Sequence, residues 1–319
     1  SPKFTISNEI LKLIGKIEAS KEVIENAPLV PAYEAKFRQE AIIRTVHHGT
    51  HIEGNPLGTG EVVAVLEGET VDARDRDIQE VLNYRKVLSF IDRRKKEVTE
   101  RDLLTIHKLT VDKLLRADAS GKYRKTQVVV KNSKTQEVSF KPPYSQDVPK
   151  LTKEFFTWLN SEESESVHPV LVAGIVHYVL AYIHPFVDGN GRTARALATM
   201  VLFQRGYDVK RFFSIEEYFD RNAPRYYKTL QTVSNQKVET LSARDLTPWL
   251  EYFCEGLAEE LARVKERVQK LSLDVKLKGK TGQIALSERQ MKLVEYIETY
   301  GSVSNKQWRS LLKDYSDDT

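Results

Sequence analysis

The stretch His184-Pro185-Phe186-Val187-Asp188-Gly189-Asn190-Gly191-Arg192-Thr193-Ala194-Arg195 decides how the rest of the chain is read. Before it lies a nearly apolar run, Pro169 to Ile183. That run is too short to span a bilayer and contains His177, so it reads as a buried core helix. After it, the apolar spacing predicts a second helix over about Thr193 to Arg205, with Gly206 where a C-terminal cap belongs. The quoted residues are thus a turn between two core helices, and their chemistry converges on one task. Gly189-Asn190-Gly191 can aim successive backbone N–H groups at one point, and such a nest at a helix N-terminus binds anions. Arg192 and Arg195 add permanent charge in forks that match phosphate. Asp188 is the hard oxygen ligand that Mg²⁺ takes together with substrate phosphates. His184, with an ordinary imidazole pKa of about 6.5, is partly neutral near neutral pH and can accept a proton. A base, a metal carboxylate, an anion nest and two arginines describe a polyphosphate site; a plain glycine turn would need none of them.

Working outward, the first hundred residues read as helices. Ile10, Ile14, Ile17 and Ile24 form one apolar stripe. A second helical run covers about Tyr33 to His48 and ends in the turn cluster Gly54-Asn55-Pro56-Leu57-Gly58. A third runs from about Asp75 to Ile91, closed by Asp92-Arg93-Arg94-Lys95-Lys96-Glu97, which reads as a solvated loop. Thr99 and Asp102 make an imperfect capping box for the next helix. On that helix His107 shares a face with Leu103 and Leu114 and reads as a core histidine with a satisfied hydrogen bond. Val128-Val129-Val130 and Val138-Ser139-Phe140 flank a polar turn and predict a β-hairpin, ended by Pro142-Pro143. Helix resumes over about Val148 to Asn160.

Thr247-Pro248 opens a long amphipathic helix carrying Trp249, Phe253, Leu257, Leu261, Val264, Val268 and Leu271. Its apolar face must pack on the body or on a second subunit, which makes a homodimer one expectation. Lys276 to Lys280 reads as a linker. Ser287-Glu288-Arg289-Gln290 and Ser304-Asn305-Lys306-Gln307 cap two short helices, the start of a helix-turn-helix that lacks its recognition helix. The natural protein is therefore expected to continue past Thr319. The expected architecture is mainly α with one β-hairpin: an N-terminal helical region at 1–95, a core at 96–240, a helical connector and linker at 241–280, and a truncated winged helix-turn-helix at 281–319.

Bulk properties exclude little. The formal charge of +4 and pI near 8.8 fall short of a dedicated nucleic-acid binder, and 40% apolar with 29% charged residues describes an ordinary globular chain. The single cysteine, Cys254, can form no internal disulfide and sits in an apolar stretch, which points to a reducing compartment. No charged segment followed by an apolar one opens the chain, so the cytoplasm is the expected location.

The motif segment fits the pattern HPFx[D/E]GNGRxxR at every specified position, and on those residues the chain resembles the Fic family. Gly121-Lys122-Tyr123-Arg124, the hairpin and Pro142-Pro143 are similar to the family's flap region. Ser214-Ile215-Glu216-Glu217-Tyr218 and Tyr226-Tyr227-Lys228-Thr229-Leu230 are similar to the segment after its motif. The likeness covers roughly 95–235 and extends more weakly over 1–95.

The resemblance implies a Mg²⁺-dependent transfer of AMP from ATP to a Ser, Thr or Tyr hydroxyl of a target protein or of the chain itself. His184 would be the base, and Asp188 the metal ligand. Gly189, Asn190, Gly191, Arg192 and Arg195 would hold phosphates, with Tyr227 and Leu230 beside the adenine. Val129 and Val130 would hold the target segment by strand addition. Thr50-His51-Ile52-Glu53-Gly54-Asn55 resembles the family's inhibitory motif, whose glutamate pairs with the second motif arginine; here that is Glu53 with Arg195. The chain departs from that motif in placing Gly49, not a hydroxyl residue, four before the glutamate. His47 and His51 have zinc-helix spacing but lack the HExxH glutamate, since position 48 is histidine. Transfer of another group, removal of AMP, or a DNA-binding regulator with a nucleotide-sensing core are the alternatives. Phosphate-transferring relatives carry lysine where Gly191 stands, which favours AMP.

Overall fold

The computed structural model describes residues 1–94, 97–131 and 138–278, with a few scattered positions between 292 and 308. The architecture is mainly α, as expected. At its centre lie α8 (Pro169–Ile183) and α9 (Asn190–Gln204), packed on each other. Nearly every side chain of α8 is buried because other helices surround it. α6 (Val148–Leu159) covers one side, and α12 (Thr247–Lys278) another. Each buried Val, Leu or Ile there contributes about 1.5–3 kcal/mol of transfer free energy. α5 (Glu100–Thr110) and α4 (Asp75–Arg93) close over α9.

The chain before α5 wraps this centre. α1 (Asn8–Glu25) lies along α12, burying Ile10, Leu13, Ile17, Ser20 and Ile24. Ile14, expected in that stripe, is only half-buried, with Leu13 taking the inward position. The apolar face of α12 is therefore covered by the chain's own first helix. α2 (Pro31–His51) packs on α4 and on α10 (Ile215–Arg221), and α11 (Ala223–Ser234) follows. α3 (Thr59–Glu67) was not anticipated; its entry is made by the Gly58 N–H donating to Glu61 Oε2 at 2.8 Å. A short α7 (Glu162–Ser166) links α6 to α8.

The hairpin pairs β1 (Val130–Lys131) antiparallel with β2 (Val138–Phe140), Val130 opposite Phe140. Two boundaries differ from expectation. α9 begins at Asn190, not Thr193, because Gly189 takes a left-handed conformation as N-cap, bringing Gly191 and Arg192 into the first turn. α12 runs to Lys278, so 276–278 is helix rather than linker; lysine and leucine favour helix where no Gly or Pro intervenes. The helix-turn-helix expected at 281–319 lies mostly outside the described residues, apart from the reciprocal capping bonds of Ser304 and Gln307. No helix among the described residues is long and apolar enough to cross a membrane.

Candidate active site

The loop between α8 and α9 is held from three sides. The Asn190 side chain accepts from the Phe186 N–H and donates to the Phe186 carbonyl, both at 2.9 Å. The Phe186 ring, fully buried, stacks on the His107 imidazole with centroids 3.6 Å apart. His107 in turn donates from Nε2 to the Asp188 carbonyl at 3.0 Å and accepts at Nδ1 from the Gly121 N–H at 3.0 Å. Those two partners fix its tautomer, and burial pushes its pKa down to about 4. Arg124, buried, clasps the third side. It donates to the carbonyls of His184 at 2.8 Å and Pro143 at 2.6 Å, while its own N–H meets the Pro185 carbonyl at 2.9 Å. Arg124 thereby ties the base of the hairpin to the motif loop.

His184 caps α8 in a left-handed conformation and is half-buried. Its Nδ1 lies 3.3 Å from the Ala181 carbonyl. A carbonyl only accepts, so Nδ1 carries the proton and Nε2 keeps its lone pair. Burial holds the imidazole pKa below its ordinary value, with the Arg124 charge acting in the same direction. The side chain is thus a neutral imidazole whose Nε2 is able to accept a proton.

Each charged residue of the motif meets an opposite charge from the first 94 residues. Asp188 Oδ2 is 3.3 Å from Arg76 Nη2. Arg192 Nη1 is 3.3 Å from Glu80 Oε1, without hydrogen-bond geometry. Arg195 Nη2 lies 2.8 Å from Glu53 Oε1 as an ion pair and donates to the Gly49 carbonyl at 2.9 Å. The Glu53 carboxylate lies directly over the start of α9: a Cβ built at Gly191 would stand 2.2 Å from Glu53 Oε1. Both arginines are buried, yet Nε and Nη1 of each have no hydrogen-bond partner among the described residues. Unpaired donors on buried guanidiniums cost about 1–3 kcal/mol apiece, and here they flank a helix N-terminus, a donor set suited to an anion.

Other expected residues fall around this centre. Tyr227 is 40% exposed and donates to the Ile52 carbonyl at 3.1 Å, which places it beside the turn that carries Glu53. Leu230 is half-buried on the same helix, α11. Val129 is exposed at the hairpin entrance and Val130 begins β1. The Asn190 side chain is taken up within the loop by the Phe186 backbone. His48 and His51 both contact Asp220, at 2.7 and 2.8 Å, while His47 lies 3.3 Å from the Thr59 hydroxyl. No group of three or more His, Cys, Asp or Glu among the described residues is arranged to hold a metal.

Arg76, Glu80, Tyr84 and Arg124 were not singled out from the sequence for these contacts. Arg76 and Glu80 have the spacing of an ordinary helix ion pair, which hides their reach to the motif. Tyr84 explains the departure at Gly49: a Cβ there would lie 2.3 Å from the buried Tyr84 ring, leaving no room for a hydroxyl residue.

An electropositive helix start, with a neutral imidazole on the loop leading into it, defines the site. Residues 97–202 match the family described as Fic/DOC. Protein adenylyltransferase Fic of Drosophila grimshawi is 35% identical over 177 residues, 54% of this chain and 35% of that protein. The Nematostella vectensis protein of the same name is 29% identical over 217 residues, 66% of this chain and 49% of that protein. The match therefore spans about a third to a half of the length of these curated relatives. Among solved structures, a Fic family protein from Desulfovibrio desulfuricans G20 superposes with a TM-score of 0.72 at 26% identity, covering 98% of this chain and 86% of its own. A Fic domain containing signaling protein from Bacteroides thetaiotaomicron VPI-5482 shares the fold, with a TM-score of 0.66 at 23% identity, covering 82% of this chain and 97% of its own. Residues 97–202 thus match the Fic/DOC family, and the fold around them is that of solved Fic family structures.

Proposed function

We propose that this chain is a protein adenylyltransferase, moving AMP from ATP to a hydroxyl side chain of a target protein or of itself. The observation that carries the reading is the pairing of a neutral His184, its Nε2 lone pair unengaged by Ala181, with buried arginine donors at the α9 N-terminus. His184 takes the proton of the target hydroxyl as its oxygen attacks the α-phosphorus. The bond to the β-phosphate oxygen breaks, and pyrophosphate leaves with the electron pair. Arg192, Arg195 and the backbone N–H groups of the first α9 turn hold the phosphate charge. Positioned base catalysis of this kind contributes about 10²–10⁴-fold.

A Mg²⁺ ion fits this site. Asp188 is a single hard carboxylate, 44% exposed, and an ion held by one carboxylate plus phosphate oxygens needs no larger protein cage. When bound, the ion neutralises phosphate charge. Tyr227 and Leu230 border the adenine in this reading, and the edge at Val129 and Val130 holds the target strand.

Glu53 is the brake. Its carboxylate competes with a phosphate oxygen for Arg195 and stands over Gly191, where an anion would rest on the helix start. Gly191, where phosphate-transferring relatives carry lysine, leaves the space over the helix start that the Glu53 carboxylate fills.

The test is His184→Ala. ATP binding, followed by calorimetry, should persist, while intact-mass measurement with Mg-ATP should show no added AMP on any protein present. Undiminished transfer by this variant would remove the assignment.

A further inference from the structure

A cavity of about 570 Å³ outside the motif opens on the outward side of α5 and the loop that follows it. α5 presents Arg101, Leu104 and Lys108 there, spaced three and four apart on one face. Lys113 and Lys122 close the rim from the loop. All four cations are exposed, and none makes an ion pair among the described residues. The single acid in the lining, Asp112, is turned to Lys86 at 2.9 Å. The floor is apolar, built on Leu104 and Leu115. The cavity is thus an uncompensated positive groove with a hydrophobic base.

Its position ties it to the site. Gly121, in its wall, donates to His107, and His107 donates to the Asp188 carbonyl. Lys122 on the rim precedes Val129 by seven residues, a span of at most about 25 Å of extended chain. A polypeptide held along the hairpin therefore has the groove within reach of its flanking residues. The shape distinguishes the ligand. A small phosphate compound needs convergent, buried donors, whereas exposed lysines over an apolar floor suit carboxylates on an extended backbone with an apolar side chain between them.

We infer that this groove is a docking site for an acidic segment of the protein substrate, flanking the hydroxyl residue that receives AMP. The inference rests on the adenylyltransferase reading for its purpose, but its first test does not. Complementary charge at such a rim raises the encounter rate and selects among substrates, and salt screens it.

A fluorescein-labelled peptide of alternating Glu and Gly, lacking any hydroxyl residue, should bind the parent protein at low salt by fluorescence anisotropy. Lys108→Glu with Lys122→Glu should weaken that binding about tenfold or more. Lys16→Glu with Lys36→Glu, at exposed positions on α1 and α2, should leave it unchanged. Matching melting temperatures would show that both double variants fold. In a Glu53→Gly background, with a single Tyr added to the peptide, Lys108→Glu with Lys122→Glu should raise KM for acidic flanks but not for neutral ones, with kcat preserved. Equal peptide binding by parent and Lys108→Glu/Lys122→Glu overturns the inference. So does tripolyphosphate binding that depends on Lys108 in a protein that ignores the peptide, which would make the cavity a small-anion site. Peptide binding lost in the rim variant, with no AMP transfer to any peptide, would keep the groove and fault the enzyme reading instead.

Discussion

At the scale of single residues, the neutral state of His184 is the central feature. Its burial lowers the imidazole pKa, so the base form persists to more acidic pH than in a free histidine. The acid limb of a single-turnover pH profile should therefore fall below the ordinary value of about 6.5. A limb at or above that value would mean the ring is better solvated than the structure shows. Gly49 is a second point of control. Because a side chain there meets the Tyr84 ring, Gly49→Ser should destabilise the fold by about 1–3 kcal/mol through overpacking. Chemical denaturation measures this directly, and Tyr84→Leu in the same chain should recover part of the loss.

At the scale of elements, α5 supports the motif loop through one histidine. His107 has a folded pKa near 4, depressed from 6.5 by burial. The unfolded chain therefore binds more protons between those values. The His107 contribution is complete above about pH 6.5 and is lost as pH falls toward 4, on the order of 3 kcal/mol across the window. Thermal melts over that range should show the decline, and His107→Phe should flatten the curve while lowering stability at neutral pH. The apolar spacing of α8, and the capping residues of α5, were legible in the sequence because such signals are local. The first turn of α9 was not, since its start depends on Gly189 adopting a left-handed conformation and on the Asn190 clamp to Phe186.

At the scale of the molecule, the end of α2 is positioned by long-range contacts. Arg44 pairs with Glu217 and Glu260, and His48 and His51 meet Asp220 on α10. These anchor the turn that presents Glu53 to Arg195. Arg195 is fully buried and Glu53 is 29% exposed, so removing the carboxylate leaves a largely uncompensated buried charge. Glu53→Gly should lower the melting temperature without nucleotide, enlarge the stabilisation by ATP, and raise AMP incorporation about tenfold or more. Differential scanning fluorimetry with and without Mg-ATP, beside intact mass, checks all three. Equal labelling of variant and parent would count against the brake.

The linear chain by itself determined the helical class, the hairpin and the motif at 184–195 that resembles the Fic pattern. Each depends on spacing or on side-chain chemistry that neighbours in sequence express together. The resemblance already implied that Glu53 meets Arg195, but only the tertiary structure decided the other partners. Arg76 and Glu80 reach Asp188 and Arg192 across separations of more than a hundred residues. Coulomb attraction depends on distance in space, and nothing in local periodicity records which helix will be folded against which.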